Sequence, residues 1–204
     1  MFNIDCMKLL QNYPNKYFDL AMVDPPWGKH AGRHGIKKSK LKSVHVYDDI
    51  RPDGTYINEL LRVSKNQIIF SANLFDNVPL KTGGWVFWDK NNHYKIFGDG
   101  ELIWVSCENK IRKFVFDMGY SRGFDYEKRI HPNEKPIEIY KWFLTEYAKE
   151  GYKILDTHFG SGSSICACIE LGYEIIGSEI DEIYFNISKD RIKYHFNKYK
   201  EKLF

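Results

Sequence analysis

The sequence has no apolar run near the roughly 18 residues a membrane-spanning helix needs, and Met1 opens no signal-peptide pattern, so the expected setting is the cytoplasm. Cysteine is scarce. Cys6, Cys107, Cys166 and Cys168 make no disulfide framework, and Cys166-Ala-Cys168 lacks the second ligand pair of a zinc site; reduced core thiols and no metal are expected. There is no internal repeat and no linker-like stretch. A chain of 204 residues is long enough for one well-buried α/β domain and short for two, so residues 1–204 are read as a single domain. Neither sign of charge dominates: the net charge is +3, so where the positive charge sits matters more than its sum. What is abundant is aromatic, 16% of the residues, within an otherwise ordinary soluble composition of 43% hydrophobic and 28% charged residues.

The most informative stretch is Asp24-Pro25-Pro26-Trp27, at the end of an apolar run (Phe18, Leu20, Ala21, Met22, Val23). A run that short, closed by two prolines, predicts a buried strand ending in a rigid turn. Each proline fixes its own φ and pushes the preceding residue towards an extended conformation. The turn therefore holds a carboxylate, an accessible carbonyl and an indole in fixed relation. That set suits a flat ring bearing an exocyclic NH2: Asp24 and the Pro25 carbonyl would accept the two amino hydrogens, and Trp27 would stack on the ring. An ordinary strand exit with a buried Trp leaves the same signature, so the tetrad does not decide alone.

In chain order, a short strand at Met1–Ile4 leads to Asp5, placed to cap a short helix through Met7, Leu9 and Leu10. After the tetrad, residues 28–47 carry Lys29, Arg33, Lys37, Lys38, Lys40 and Lys42 with three histidines and no acid until Asp48. A charge run is usually a solvated face; beginning one residue after that turn, this one is read instead as a phosphate-contacting loop. A helix near Tyr56–Val63, a strand at Gln67–Phe70 and an antiparallel pair at Trp85–Trp88 and Leu102–Val105 follow. Residues 109–130 show no clear period and are read as a second candidate substrate-facing loop, or an irregular connection. Pro136 opens a helix with Ile137, Tyr140, Phe143, Leu144 and Tyr147 on one face. The chain closes on a basic amphipathic helix from Asp181 to about Tyr199.

Residues 152–180 read as one βαβ crossover: strand, Gly160-Ser161-Gly162-Ser163 turn, helix, strand, then Glu179. Glu179 follows Gly160 by nineteen residues, about where a nucleotide-binding fold places an acid for ribose hydroxyls. Ile165 stands where a dinucleotide fingerprint wants glycine, and the Gly-Lys-Ser/Thr ending of a phosphate loop is missing. A site for a nucleoside-like ligand without a phosphate cradle remains, with Asp156 ending the first strand, where it would meet a cationic or amine-bearing group.

Taken together, Asp24-Pro25-Pro26-Trp27, His131-Pro132-x-x-Lys135-Pro136, Leu155-Asp156, Gly160-Ser161-Gly162-Ser163 and Gly177-Ser178-Glu179-Ile180-Asp181 resemble the S-adenosylmethionine-dependent DNA amino-methyltransferases. The catalytic block precedes the cofactor block, as in their permuted β group, and a DPPW tetrad is similar to the adenine-N6 subset. The resemblance implies a Rossmann-like methyltransferase fold: α/β, a mixed and mostly parallel seven-stranded sheet with one antiparallel strand, and helices on both faces. It implies S-adenosylmethionine as cofactor, DNA as substrate, no membrane, and a homodimer as a possible assembly. Catalysis would fall to Asp24, Pro25, Pro26 and Trp27. The cofactor would be held by Asp5, Cys6, Lys135, Asp156, His158, Gly160, Ser161, Gly162, Ser163 and Glu179, with His131 on the same side. DNA would be met by Lys29, Arg33, Lys37, Lys38 and Lys40. Thr157 and His158 stand where the family usually has Pro and Phe, a variant associated with short phage-like members. The implied activity is methylation of adenine N6; cytosine-N4 methylation, RNA adenine methylation and a non-catalytic DNA-binding regulator are the alternatives.

Overall fold

Period-two alternation builds the central strand. In β2 (Phe18–Val23), Leu20 and Met22 face one side and Ala21 and Val23 the other, all of them buried. A strand buried on both faces belongs to a sheet covered twice by helices. The computed structural model, which describes residues 1–28, 50–91, 98–117, 130–131 and 133–201, has this architecture. The other strands are β1 (Phe2–Asn3), β3 (Ser64–Phe70), β4 (Gly84–Asp89), β5 (Gly100–Val105), β6 (Ile111–Val115), β7 (Lys153–Asp156) and β8 (Glu174–Glu179). Their order across the sheet is β1-β8-β7-β2-β3-β5-β4-β6. β5 runs antiparallel to both its neighbours, β3 and β4, and the remaining pairings are parallel.

The expected fold class holds, with a corrected strand count: eight rather than seven. β6 lies inside the segment read as a loop at 109–130. Its pattern was hidden because Ile111, Lys113 and Val115 are exposed on an edge strand, while its inward face is one Arg and one Phe. Arg112 pairs with Glu146 at 2.8 Å and lies over Trp142, and Phe114 packs on Trp142. The rest of that segment, 118–129, falls outside the described residues, as does all but Gly28 of the basic segment 28–47.

Helices α1 (Cys6–Leu10) and α2 (Gly54–Val63) cover one face through Leu9, Leu10, Tyr56, Ile57, Leu60 and Val63. Helices α3 (Ile137–Tyr147) and α4 (Ser163–Leu171) cover the other through Ile139, Phe143, Leu144, Ala167 and Cys168. Helix α5 (Glu182–Glu201) lays Ile192 against Phe159, Ile165 and Cys166. Local chemistry sets the ends: Asp5 accepts from the Lys8 amide at 3.2 Å, Asp53 from the Thr55 amide at 2.8 Å, and Gly172 ends α4 at φ +77°. Pro136, expected as the first helical residue, is the cap one position earlier, with extended ψ. No helix among the described residues is long and apolar enough to cross a membrane.

What positions the site is the β2/β7 pairing. β2 leads to β3 on one side and β7 to β8 on the other, so the winding reverses between them. A ligand crevice opens outside the carboxyl ends of strands at such a point.

Candidate active site

Asp24 follows the last residue of β2 and Asp156 is the last of β7. With Leu20 level with Ile154 and Ala21 with Leu155, the two turns leave the sheet side by side. One residue ties them together. The Lys135 ammonium donates to Asp24 Oδ2 at 2.7 Å, while the Lys135 carbonyl accepts the Ser163 hydroxyl at 2.7 Å. Lys135, placed on the cofactor side by resemblance, therefore meets that turn through its backbone and sends its charge into the other pocket.

That charge is enclosed. The Lys135 side chain is 5% exposed, lies 3.4 Å from Glu101 Oε2, and sits 4.7 Å from the centre of the Trp27 ring. Lys90 holds the other oxygen of Glu101 at 2.6 Å. Burial alone would lower the Lys135 pKa, but Asp24 and Glu101 outweigh it and hold the amine protonated. Burial raises Asp24 above the usual carboxylate range; Lys135 pulls it back and Glu101 pushes it up again. Glu101 ends below its ordinary value, because Lys135 and Lys90 overcome its burial. Arg51 donates to the Trp27 carbonyl at 3.2 Å, pinning the far end of the tetrad.

The glycine turn is built by close approach. Gly160 and Gly162 have φ of +49° and +79°, a region open to glycine. A Cβ on Gly162 would stand 2.7 Å from Ile192 Cδ1, and one on Gly160 would touch the His131 ring at 3.4 Å. The turn's amides are used internally. Gly160 N–H donates to Glu179 Oε2 at 3.1 Å, and Gly162 N–H to the Phe159 carbonyl at 2.7 Å. Arg191 is committed to the Ser161 carbonyl at 2.8 Å and to Glu134 at 3.0 Å. Two of the turn's amides and the neighbouring guanidinium are thus already engaged.

Asp156 is fully enclosed and accepts from the His158 amide at 3.0 Å and the Ser164 hydroxyl at 2.5 Å. Both oxygens thus serve the turn itself, and its contribution is to hold the elbow rather than to reach into the crevice. Burial pushes its carboxyl up to about 7, against those two hydrogen bonds. Glu179 accepts a second amide, that of Asp181, at 2.9 Å. Asn3 pairs with Glu179 across β1 and β8, and brings Asp5 and Cys6 to the same edge. Burial, with Asp5 adding, pushes the Cys6 thiol up to about 12, so it is an inert wall. His158, in place of the family's aromatic, stands edge-on to Tyr56 at 5.3 Å, and Thr157 Oγ1 bonds both the Tyr56 hydroxyl (2.6 Å) and His158 Nδ1 (2.9 Å). Burial drops His158 to about 4, so the ring is neutral.

The structure thus gathers the expected Asp24, Pro25, Pro26, Trp27, Asp5, Cys6, Lys135, Asp156, His158, Glu179 and residues 160–163 along one edge of the sheet. Lys29, Arg33, Lys37, Lys38 and Lys40 lie outside the described residues. Sequence reasoning missed Glu101, Lys90 and Tyr56. A buried glutamate opening a strand (Gly100-Glu101-Leu102) was the available signal for Glu101.

Comparison with known proteins agrees. Residues 90–190, about half of the chain, match the family model N6_N4_Mtase, described as DNA methylase. The Type II methyltransferase M.HpaI of Haemophilus parainfluenzae is 27% identical over 95% of this chain and 74% of its own length. In the solved complex of M1.HpyAVI with SAM, 93% of this chain superposes on 97% of that one at TM-score 0.59 and 21% identity. The cytosine-N4-specific PvuII DNA methyltransferase superposes at TM-score 0.56 and 14% identity, over 98% of this chain and 91% of that one. Across residues 90–190 the chain is thus similar to DNA methylases, and it shares the fold of the solved methyltransferases.

Proposed function

We propose that the chain transfers a methyl group from S-adenosylmethionine to the exocyclic N6 amine of a flipped-out adenine in DNA, working in the cytoplasm. The observation that carries this reading is the single residue bridging both turns, Lys135, which puts the Asp24 pocket and the glycine elbow on one crevice. The residues fit the cofactor's chemistry. The edge offers the carboxylates Asp5 and Glu179 and a neutral imidazole, which suits a nucleoside that carries positive charge. When bound, the cofactor supplies an electrophilic methyl on positively charged sulfur.

The chain's own residues then prepare the acceptor. An adenine amine is a poor nucleophile because its lone pair is delocalised into the ring. Hydrogen bonds from its two hydrogens to Asp24 and the Pro25 carbonyl localise that pair and stabilise the positive charge that develops on nitrogen. The rigid turn fixes the amine relative to the neighbouring elbow, so transfer would be a single in-line displacement needing no enzyme nucleophile, the N–C bond forming as the S–C bond breaks and the surplus amino proton leaving to solvent. A stacked base cannot reach this edge, and stacking on Trp27 offsets part of an unstacking cost of a few kcal/mol.

The aligned cytosine-N4 enzyme supports a second reading, cytosine N4, whose amine has the same chemistry. Asp24→Ala is expected to lower methyl transfer by about 10²-fold or more while cofactor binding persists. Unchanged activity would refute the mechanism. Digestion of the methylated DNA and mass analysis of its nucleosides distinguishes adenine from cytosine.

A further inference from the structure

Two buried carboxylates share one buried ammonium at this site, and the sharing is unequal. Lys135 donates to Asp24 Oδ2 at 2.7 Å but stands 3.4 Å from Glu101 Oε2, beyond a good hydrogen bond. Asp24 Oδ1 and Glu101 Oε2 are both buried and find no hydrogen-bond partner among the described residues. A fully satisfied structural ion pair would leave neither oxygen without a short bond, because an unmet buried acceptor is costly. An ammonium carries three donors on a flexible stem, and Lys90 already fixes Glu101 through its other oxygen. Glu101 Oε2 is thus a second, longer-range partner of the same ammonium, 3.4 Å away while the short bond goes to Asp24.

The place where that cation is held is also informative. It donates to Asp24 and lies over the indole of Trp27, the same two groups that would receive the amine and the ring of a flipped base. We propose that the Lys135 ammonium stands in for the target amine in the free enzyme, and that the entering base displaces it from Asp24 onto Glu101. The proposal rests on the reading of Asp24 as the amine's acceptor. It makes Lys135 and Glu101 positioning residues. Lys135 keeps Asp24 ionised and the pocket dry until substrate arrives, and Glu101 receives the cation so that Asp24 is released. Glu101 suits this role because Lys135 and Lys90 hold its carboxyl below its ordinary value against its burial, whereas burial raises that of Asp24. No covalent bond changes in this step; one cation moves between two anions.

The test is Glu101→Gln in the full chain, followed by radiolabelled methyl incorporation into unmethylated genomic DNA, with cofactor affinity measured separately. A neutral amide receives an ammonium poorly, so Lys135 stays on Asp24 and the base must work harder to enter. KM for DNA is expected to rise about tenfold, with kcat changed less than about threefold and cofactor Kd unmoved. Glu101→Asp, which keeps the charge one methylene further away, is expected to raise KM by less; it also serves if the Gln variant does not fold. An unchanged KM in the variants, or a loss shared equally by KM, kcat and cofactor Kd, overturns the stand-in and leaves Glu101 as a brace. If the parent chain itself transfers no methyl group to DNA, the reading of Asp24 fails first and the stand-in falls with it.

Discussion

Gly162→Ala tests whether the glycine elbow is built by necessity. Gly162 sits at φ +79° at the mouth of α4, and its missing side chain is the space that Ile192 of α5 fills. An L-residue in the left-handed region costs roughly 1–2 kcal/mol. The new Cβ would stand 2.7 Å from Ile192 Cδ1 and 3.0 Å from Cγ1; Ile192 is 6% exposed, so it has little room to yield. Overpacking of that kind costs about 1–3 kcal/mol more. The expected destabilisation is therefore about 2–5 kcal/mol, a melting shift of roughly 5–15 °C for a chain of this size. Thermal and urea unfolding followed by far-ultraviolet circular dichroism would read it. The steric part has its own signature: Ile192→Val alone should cost about 0.5–1.5 kcal/mol, yet combined with Gly162→Ala it should restore about 1 kcal/mol by removing the clashing methyl. Cofactor affinity should weaken in the single variant and partly return in the double. A loss under about 0.5 kcal/mol, or strict additivity of the pair, would refute this account of the elbow.

Asp156 makes a pH prediction. Its folded-state carboxyl titrates near 7 against an ordinary 3.8, so between those values the folded chain holds a proton that the unfolded chain has lost. This group's contribution is greatest below about 4 and declines as pH rises to 7, by roughly 4 kcal/mol in all. His131 and His158, pushed down to about 3 and about 4 by burial, slope the other way at acidic pH. The measurement is therefore the parent-minus-Asp156→Asn difference in unfolding free energy from pH 4 to 8, and a flat difference would contradict the buried, protonated acid. Separately, charge reversal at Lys37, Lys38 and Lys40 is expected to weaken DNA binding and flatten its dependence on salt; if both stay as in the parent, that segment makes no phosphate contact.

The elements legible in the sequence were those whose signals are local. Pro25-Pro26 stops β2, Asp5 caps helix α1, and the apolar face of α3 repeats at helical spacing. β6 was not legible, because an edge strand presents half its residues to solvent and needs no apolar alternation. Its inward contacts, Arg112 with Trp142 and Glu146 and Phe114 with Trp142, join residues far apart in the chain. The role of Asp156 was half legible. A strand-ending acid before a glycine turn is visible, but only the folded chain shows both its oxygens turned back on its own elbow.

The same division explains the site. Motifs named the two turns because each is a contiguous run whose chemistry is set by neighbours in sequence. What joins the turns is an ion pair spanning 111 positions, and its second carboxylate comes from the strand that runs against the rest of the sheet. No spacing rule connects residues 24, 101 and 135. They meet because β2, β3 and β5 lie side by side and Ser163 clamps the carbonyl of Lys135 to the neighbouring elbow. A shift of that elbow would reach the backbone of the residue whose ammonium sits on Asp24, so the two turns are joined through Lys135. The link has a measurable sign. Ser163→Ala removes the clamp without touching Asp24, and should raise KM for DNA as well as Kd for the cofactor; a variant that weakens the cofactor alone would mean the two pockets adjoin without communicating.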